Sequence, residues 1–591
     1  MPEAPASPRP ASRARSRAPL GLRQPPWWKS YRRGHFVADL LAGLVVAALL
    51  VPQAMAYAML AGLPAQAGLV SCLAPLVVYA LLGTSRTLSV GPVAIVSLLV
   101  ADGLAMLGPL STERALAAAA LLALEMGLLQ LAMGLLRAGF LVNFLSHPVV
   151  LGYTSAAALV IAFSQAKHLL GLAFPRDVLP WETLVSLATH VGETKAIALL
   201  VGGGAIALLA LFPRVMKKLL ARAGSPRWLR ALAPRCAPLL VVVGGTALAY
   251  AFGLHASAGL AVVGEVPPAL PSFELPAIDL ELLRALLPAA AAIACLGFLE
   301  SYSVAQTLAS RRREHVHPSR ELVALGCANL ASACTGGFPV SGGVSRSMAN
   351  AGAGARSQVA SLATALFVLL TVLALTPLLR HLPRAILAAI IVMAVAPLLD
   401  LGAARRIWKY SKADGWALIA TFVGVFALGV GSGIAVGVLL SLSIYLARSA
   451  RPHIAVVGRV GDSESYRNVK RYQVHVDPRV LAIRIDENLM FSNVRYLEQR
   501  IPQLVAQKPG LKHVLLIASG INLIDASGLR FLELVSEMLA SGKVELHLAE
   551  VKGPVMDKLE RADFPARLGR DHFHLSTHEA MERLAPSESS G

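Results

Sequence analysis

The sequence predicts a polytopic α-helical membrane protein with a small α/β domain at its C-terminal end. Three observations carry that class. Apolar windows about as long as a bilayer is thick recur from residue 37 to about 449. Basic residues crowd into alternate connecting segments. After residue 450 the pattern changes to short strand-like runs alternating with amphipathic helices. The bulk composition agrees: of 591 residues 55% are hydrophobic and 15% charged, whereas a soluble domain carries about a quarter charged.

Spans are expected near 37–54, 65–83, 89–104, 115–137, 144–166, 195–213, 236–254, 285–305, 320–335, 341–353, 356–378, 384–400, 413–429 and 431–449, fourteen in all. The domain boundaries follow: a disordered basic tail over 1–30 and the membrane domain over 31–450. A linker with the first strand of the appended domain covers 451–475, that domain covers 476–585, and a short tail covers 586–591. In the appended domain VLAIRID (480–486), HVLLIAS (513–519) and KVELHLAE (543–550) read as strands, with helices at about 491–507, 527–541 and 552–562.

The net charge of +19 has a topological cause. Arg and Lys gather before the first span, in the loop 214–235, at 311–320 and at 405–412, while 255–283 carries Glu265, Glu274, Asp279 and Glu281 with no Lys or Arg. This positive-inside bias places the N-terminus in the cytoplasm and argues against a nucleic-acid partner. Arg380 and Arg384 are exceptions on an outer loop. The five cysteines are scattered, with no metal-ligand or disulfide spacing. Residues 1–26 lack the apolar core of a signal peptide. No P-loop or phosphorylated-aspartate motif is present, so neither an enzyme nor a primary pump is expected, and no cofactor or metal.

Two spans are short and broken at their starts: the third, at Ser89-Val-Gly-Pro-Val-Ala94, and the tenth, at Phe338-Pro-Val-Ser-Gly-Gly-Val-Ser-Arg346. Each is third in its own set of seven. Paired interruptions of this kind point to a site built from an inverted repeat, because irregular backbone at membrane depth needs protein or a watery cavity around it. The structural alternative is a pair of kinks that serve helix packing.

Arg346 stands at the expected start of a half-helix, where free N–H groups and the helix dipole attract an anion. Gly91, Gly342 and Gly343 permit close approach to the backbone, and Ser89, Ser341, Ser345 and Ser347 offer hydroxyls. Glu300 is the matching carboxylate. Burial and a neighbouring guanidinium act on it in opposite senses, the setting of a proton carrier or a cation ligand. A static ion pair with Arg346 is the structural alternative. Sodium would draw ligands from Ser301, Ser303 and backbone carbonyls. Gln53 and Tyr57, four apart on the first span, share a helix face that lines a pocket or bonds to neighbouring helices. Glu125, in the fourth span, is a second intramembrane carboxylate of open role; Asp39 reads as interfacial. Asp525 and Ser527, in IDASG, cap a helix or contact a phosphate.

With these stretches the chain resembles the SulP anion permeases, the sulfate-transporter family of solute carrier 26 type. The matching runs are DLLAGLVVAALLVPQAMAYAMLAGLPAQAGL (39–69), GTSRTLSVGPVAIVSLL (83–99), LLRAGFLVNFLSHPVVLGYTSAAA (135–158), ESYSVAQTLASR (300–311) and 338–358, with IDASGL (524–529) placed as in a STAS domain. The resemblance implies fourteen spans in a 7+7 inverted repeat, split into a core (spans one to four and eight to eleven) and a gate. It implies an elevator-type movement of the core and a homodimer with cytoplasmic STAS domains. By motif, Gln53, Tyr57, Val93 beside Gly91-Pro92, Val344 and Ser345 line the site, Arg346 supplies positive charge and Glu300 couples the cation. Val93 is smaller than the aromatic residue of some relatives, Glu125 falls where the family is usually apolar, and Ala526 replaces the first serine of the DSSG form, leaving Ser527 as a phosphorylation candidate.

The expected function is proton-coupled sulfate uptake across the plasma (inner) membrane. The expected partners are a small anion, protons (sodium as the alternative), the lipid bilayer and a second copy of the chain. Bicarbonate and dicarboxylates are the rival substrates, and anion exchange without proton coupling the rival mechanism. A membrane-anchored STAS regulator and a passive anion channel are the rivals from other classes.

Overall fold

The computed structural model describes residues 27–28, 31–140, 146–174, 180–226, 233–264, 273–274, 276–374 and 379–585. Most of the terminal stretches 1–30 and 586–591, and the charged positions Arg227, Arg230 and Glu265, lie outside the described residues. The chain divides into two compact units between Leu440 and Ser441, inside its last apolar helix, whereas the composition changes at 450.

In the first unit the chain runs through α1 (Phe36–Leu60), α2 (Ala65–Leu82), β1 (Val90–Gly91), α3 (Ala94–Ala105), α4 (Thr112–Leu135), α5 (His147–Leu170), α6 (Pro180–His190), α7 (Ala196–Arg222), α8 (Ala237–Ala251) and α9 (Leu254–Ala258). It continues through α10 (Leu280–Arg312), α11 (Pro318–Cys334), β2 (Ser341–Gly342), α12 (Val344–Gly352), α13 (Val359–Ala374), α14 (Arg384–Val395), α15 (Leu401–Tyr410), α16 (Lys412–Leu428) and α17 (Val430–Ala450). A helix occupies every apolar segment read from the sequence. Among the described residues eight helical stretches are long and apolar enough to cross a bilayer, and α3, α8 and α13 are shorter apolar helices. The protein is a polytopic helical membrane protein.

Local chemistry sets the helix ends. Ser111 accepts from Arg114 N at the start of α4, and Asp279 from Glu281 N and Leu282 N at the start of α10. Gly171, at φ 71°, ends α5. The amphipathic α15, which carries Arg405, Arg406 and Lys409, was expected as a loop. Its N-cap Asp400 accepts from Ala403 N, and the cap starts a helix that hydropathy alone does not mark.

The helices pack in two groups. α1, α2, α3 and α4 interleave with α10, α11, α12 and α13; α5, α7 and α8 gather with α14 and α16. The first group holds the eight core spans that the resemblance implies, and the second holds five of its six gate spans. Buried polar groups tie the loops of the first group. Glu321, fully buried in α11, accepts from Tyr79 Oη at 2.7 Å, Thr84 N at 2.7 Å, Ser85 N at 3.1 Å and the Thr84 hydroxyl. Gln358 Nε2 donates to the carbonyls of Ser85 and Leu88. Asp39, in the first turn of α1, is fully buried by protein and accepts from Arg356 N, Ser357 N and Ser357 Oγ, because the loop before α13 needs an acceptor for its N–H groups.

The second unit carries a six-stranded sheet of β3 (Ile454–Arg459), β4 (Tyr466–Asn468), β5 (Val480–Ile485), β6 (His513–Ile517), β7 (Glu545–Ala549) and β8 (Phe573–His574), in the order β4-β3-β5-β6-β7-β8. β5 to β8 are parallel, and β3 is antiparallel to both its neighbours. Its helices are α18 (Val494–Ala506), α19 (Ala526–Ser541), α20 (Gly553–Arg561), α21 (Phe564–Leu568) and α22 (Thr577–Leu584). The three strands and three helices read from periodicity are all present. β3, β4, β8, α21 and α22 complete the domain.

Candidate functional site

The two broken spans meet. β1 and β2 pair antiparallel, Val90 opposite Gly342 and Gly91 opposite Ser341, and each two-residue strand leads directly into a helix. α3 starts after its N-cap Val93 and α12 after its N-cap Gly343, both in extended conformation. The pairing is extended by Gly343 N donating to Ser89 O at 3.0 Å and by Ser89 N donating to Ser347 Oγ at 2.9 Å.

Ser301 and Ser341 are spent on this seam. Their hydroxyls are 2.8 Å apart, both bond to the Gly297 carbonyl, and Gly342 N donates to Ser301 Oγ. They anchor the strands to α10, while Ser303, two residues on, is exposed.

Arg346 is 1% exposed. Its Nη1 donates to the carbonyl of Pro92, in the other break, at 2.6 Å; Nε and Nη2 are buried with no hydrogen-bond partner. A buried guanidinium with unmet donors is costly unless an acceptor reaches them. The static pair with Glu300, the structural alternative, is not a hydrogen-bonded one: Glu300 Oε2 is also without a hydrogen-bond partner, although both side chains line one cavity. The guanidinium turns toward the Pro92 carbonyl, an acceptor that the break in the third span releases.

That cavity has a volume of about 50 Å³. Gln53 and Tyr57 border it from α1, Val93 from the start of α3, Val344, Ser345 and Arg346 from the start of α12, and Glu300 from α10. Gly91 stands just behind, where an added Cβ would lie 3.4 Å from Arg346 Nη2. Ala94, Ile95 and Gly343 also line it, and the far wall is Ala394, Val395 and Leu398, at the end of α14 and just beyond. Sequence reasoning missed that wall, since apolar residues in an apolar span carry no distinguishing signal.

Glu125 does not reach the cavity. It is buried in α4, which packs against α10 and α11, and neither carboxylate oxygen has a hydrogen-bond partner. A second cavity of about 450 Å³, also missed, lies where the ends of α1 and α5 meet the starts of α2 and α14. Gln66, Gln165, Lys167, His168 and Arg384 line it. In the other unit Asp525 is the N-cap of α19: Oδ1 accepts from Gly528 N and Oδ2 from Phe491 N, each at 2.8 Å. Ser527, in the first turn, is half-buried.

Membrane helices around a buried arginine at two helix starts, with an α/β domain appended, define a class: a membrane transporter of anions. The model of the sulfate permease family matches residues 36–421, and that of the STAS domain residues 471–580. The chain is 33% identical over 570 residues to the chloroplastic sulfate transporter 4.1 of Arabidopsis thaliana, covering 94% of this chain and 81% of that one. It is 34% identical over 559 residues to a probable sulfate transporter of Mycobacterium tuberculosis, covering 94% and 96%. The murine solute carrier 26 family member A9 anion transporter, solved in the inward-facing state, superposes with a TM-score of 0.86 at 26% identity, covering 94% and 93%. The transmembrane domain of a cyanobacterial bicarbonate transporter shares the fold, with a TM-score of 0.59 at 22% identity over 70% of this chain and 98% of that one.

The chain therefore belongs to the sulfate permease family. It is an integral protein of the plasma membrane with a cytoplasmic STAS domain, as is usual in that family.

Proposed function

We propose that the chain is a secondary active transporter that takes up sulfate together with protons. The carrying observation is Arg346: buried, with two unpartnered donor nitrogens, beside a cavity bordered by the first turns of α3 and α12. Each helix start contributes about half a positive charge, so with the guanidinium the site holds about two, the charge of a sulfate dianion. The volume of about 50 Å³ corresponds to roughly four water-sized positions. That suits a small inorganic anion better than a dicarboxylate.

Glu300 faces the same cavity. Ionised, it cancels part of the positive charge; protonated, it leaves the site matched to a dianion. Anion and proton then bind better together than apart, which is the linkage that symport requires. Gln53 and Tyr57 supply neutral donors from α1, and Val93, Val344 and Ser345 shape the cavity. We place the 7+7 repeat, an elevator-type movement of the first helix group against the second, and a homodimer with the family.

Uptake of labelled sulfate, bicarbonate and succinate into proteoliposomes, with and without an inward proton gradient, tests this. Sulfate is expected to accumulate only with the gradient. Glu300→Gln is expected to lose the gradient response while still exchanging anion. Accumulation by that variant against an anion gradient, or equal uptake with no gradient, sinks the proton-carrier role, and gradient-independent currents far above carrier rates would indicate a channel.

A further inference from the structure

Strand register in the STAS domain brings five metal-ligating side chains to one face of the sheet. β6 and β7 pair with His513 opposite Glu545 and Leu515 opposite His547; β7 and β8 pair with Ala549 opposite His574. Side chains two apart on a strand share a face. His513, Glu545, His547, His572 and His574 therefore stand side by side on the face that α22 covers.

The nitrogens of two of these histidines converge on one carboxylate oxygen. His513 Nδ1 lies 3.2 Å from Glu545 Oε2 and His547 Nε2 lies 3.5 Å from it, and all three ligand atoms fall within 4.8 Å of one another. Both nitrogens are buried without a hydrogen-bond partner, and His547 is only 5% exposed. Ligand atoms about 2.05 Å from a tetrahedral metal lie about 3.3 Å from each other. The two shorter edges of the cluster match that spacing.

The surroundings hold His547 in the orientation a ligand needs. His574 Nε2 meets His547 Nδ1 at 3.3 Å, and the His572 ring stacks on His547 at 4.3 Å with 6° between the planes. His572 is itself fixed by Nδ1 bonding to the Leu546 carbonyl at 2.8 Å. A ligating imidazole is characteristically oriented through its other nitrogen in this way.

We propose that His513 Nδ1, His547 Nε2 and Glu545 Oε2 bind a divalent zinc-like transition metal, with His574 as a positioning residue. The donors, two imidazoles and a carboxylate, suit zinc, cobalt or nickel rather than calcium or magnesium. Glu545 is more than half exposed, so the fourth position is open to water from that side. The ion links β6 to β7 at the end of the sheet where the parallel strands begin. Nothing in this site depends on the transport function proposed above.

The test uses the untagged full-length protein in detergent, stripped with chelator, then titrated with Zn²⁺ by calorimetry and with Co²⁺ by absorption. One metal ion per chain is expected, with a tetrahedral Co²⁺ spectrum. His513→Ala/His547→Ala is expected to lose that equivalent. Glu545→Gln, on an exposed side chain whose loss leaves the core intact, is expected to weaken Zn²⁺ binding at least tenfold. For His574→Phe the expected loss is about 10–100-fold. The proposal is overturned if the wild-type chain binds no Zn²⁺ beyond the double variant, if the double variant keeps a full equivalent, or if Glu545→Gln leaves the affinity unchanged.

Discussion

Arg346 Nη1 and the carbonyl of Pro92, 254 residues apart in the chain, are joined by a 2.6 Å hydrogen bond. The arginine of one broken span is held by the backbone of the other, and its remaining nitrogens, Nε and Nη2, stay without a hydrogen-bond partner beside the cavity. Charge and orientation are thus separable. Arg346→Ala removes both and is expected to weaken sulfate binding by about 10–100-fold, the range for a charge-assisted bond. Arg346→Lys keeps the charge but loses the fork, so an intermediate affinity is expected. Equilibrium binding of labelled sulfate to purified protein distinguishes the three.

The two glycines beside the guanidinium differ in tolerance. A Cβ on Gly343 would lie 2.8 Å from Arg346 Cζ and Nη2, whereas one on Gly91 would lie 3.4 Å from Nη2. Gly343→Ala must displace the guanidinium and is expected to lower uptake about tenfold, by analogy with the cost of overpacking. Gly91→Ala is expected to stay within about twofold, since 3.4 Å approaches ordinary contact. Parallel initial-rate uptake at matched protein content checks the contrast.

Glu125 is buried with both oxygens unpartnered and does not line the cavity. Replacing it by Leu removes the desolvation cost of that carboxyl group, so a gain of about 1–3 kcal/mol in stability is expected. The gradient response of uptake is expected to persist. A lower melting temperature, or loss of proton coupling, would instead make Glu125 a working part of the transport cycle.

Lys167 and Arg384 line the 450 Å³ cavity, at the end of α1 opposite its cytoplasmic start. Two basic groups there raise the local concentration of an arriving anion. Lys167→Gln is expected to raise the KM for sulfate about two- to fivefold at low ionic strength, with the difference closing in high salt as screening takes over. Maximal rate is expected to be unchanged. Uptake kinetics at two salt concentrations measure this.

In the STAS domain, hydrogen bonds from Arg479 hold the Asp477 carboxyl below its ordinary value of 3.8, against an opposing effect of burial. Folding therefore favours the ionised form. The stabilisation is complete above 3.8 and is lost as pH falls through the lower folded-state value. The pair is partly exposed, so screening limits it to roughly 0–1 kcal/mol. Hydrogen exchange of β5 and β6 amides in the full-length protein is expected to quicken in Asp477→Asn at neutral pH, and to match wild type in strong acid.

The breaks at 89–94 and 338–346 were legible because Gly and Pro punctuate an apolar run and their positions in two sets of seven correspond. Side-chain direction was not. Spacing brought Glu300 and Arg346 to one cavity but did not show that the arginine turns to a carbonyl freed by the opposite break. Ser301 and Ser341 looked like ligands because a hydroxyl carries no mark of the bond it already makes. The histidine cluster needed strand register, which sets residues far apart in the chain, such as His513, His547 and His574, on one face. Asp39 illustrates the same limit: the sequence marks a carboxylate near a span end but not the loop, 317 residues on, from whose N–H groups it accepts.

The two sides of the cavity differ in what holds them. Behind Arg346, β1 and β2 are stitched together by backbone bonds and by Ser301, Ser341 and Ser347, so the two broken spans cannot part without leaving polar groups unmet. Opposite, Ala394, Val395 and Leu398 present only hydrocarbon. Hydrocarbon surfaces can slide past one another with contacts exchanged and no bond broken. Widening the cavity on the hydrocarbon side would break no hydrogen bond, whereas widening it on the stitched side would leave backbone and hydroxyl groups unmet.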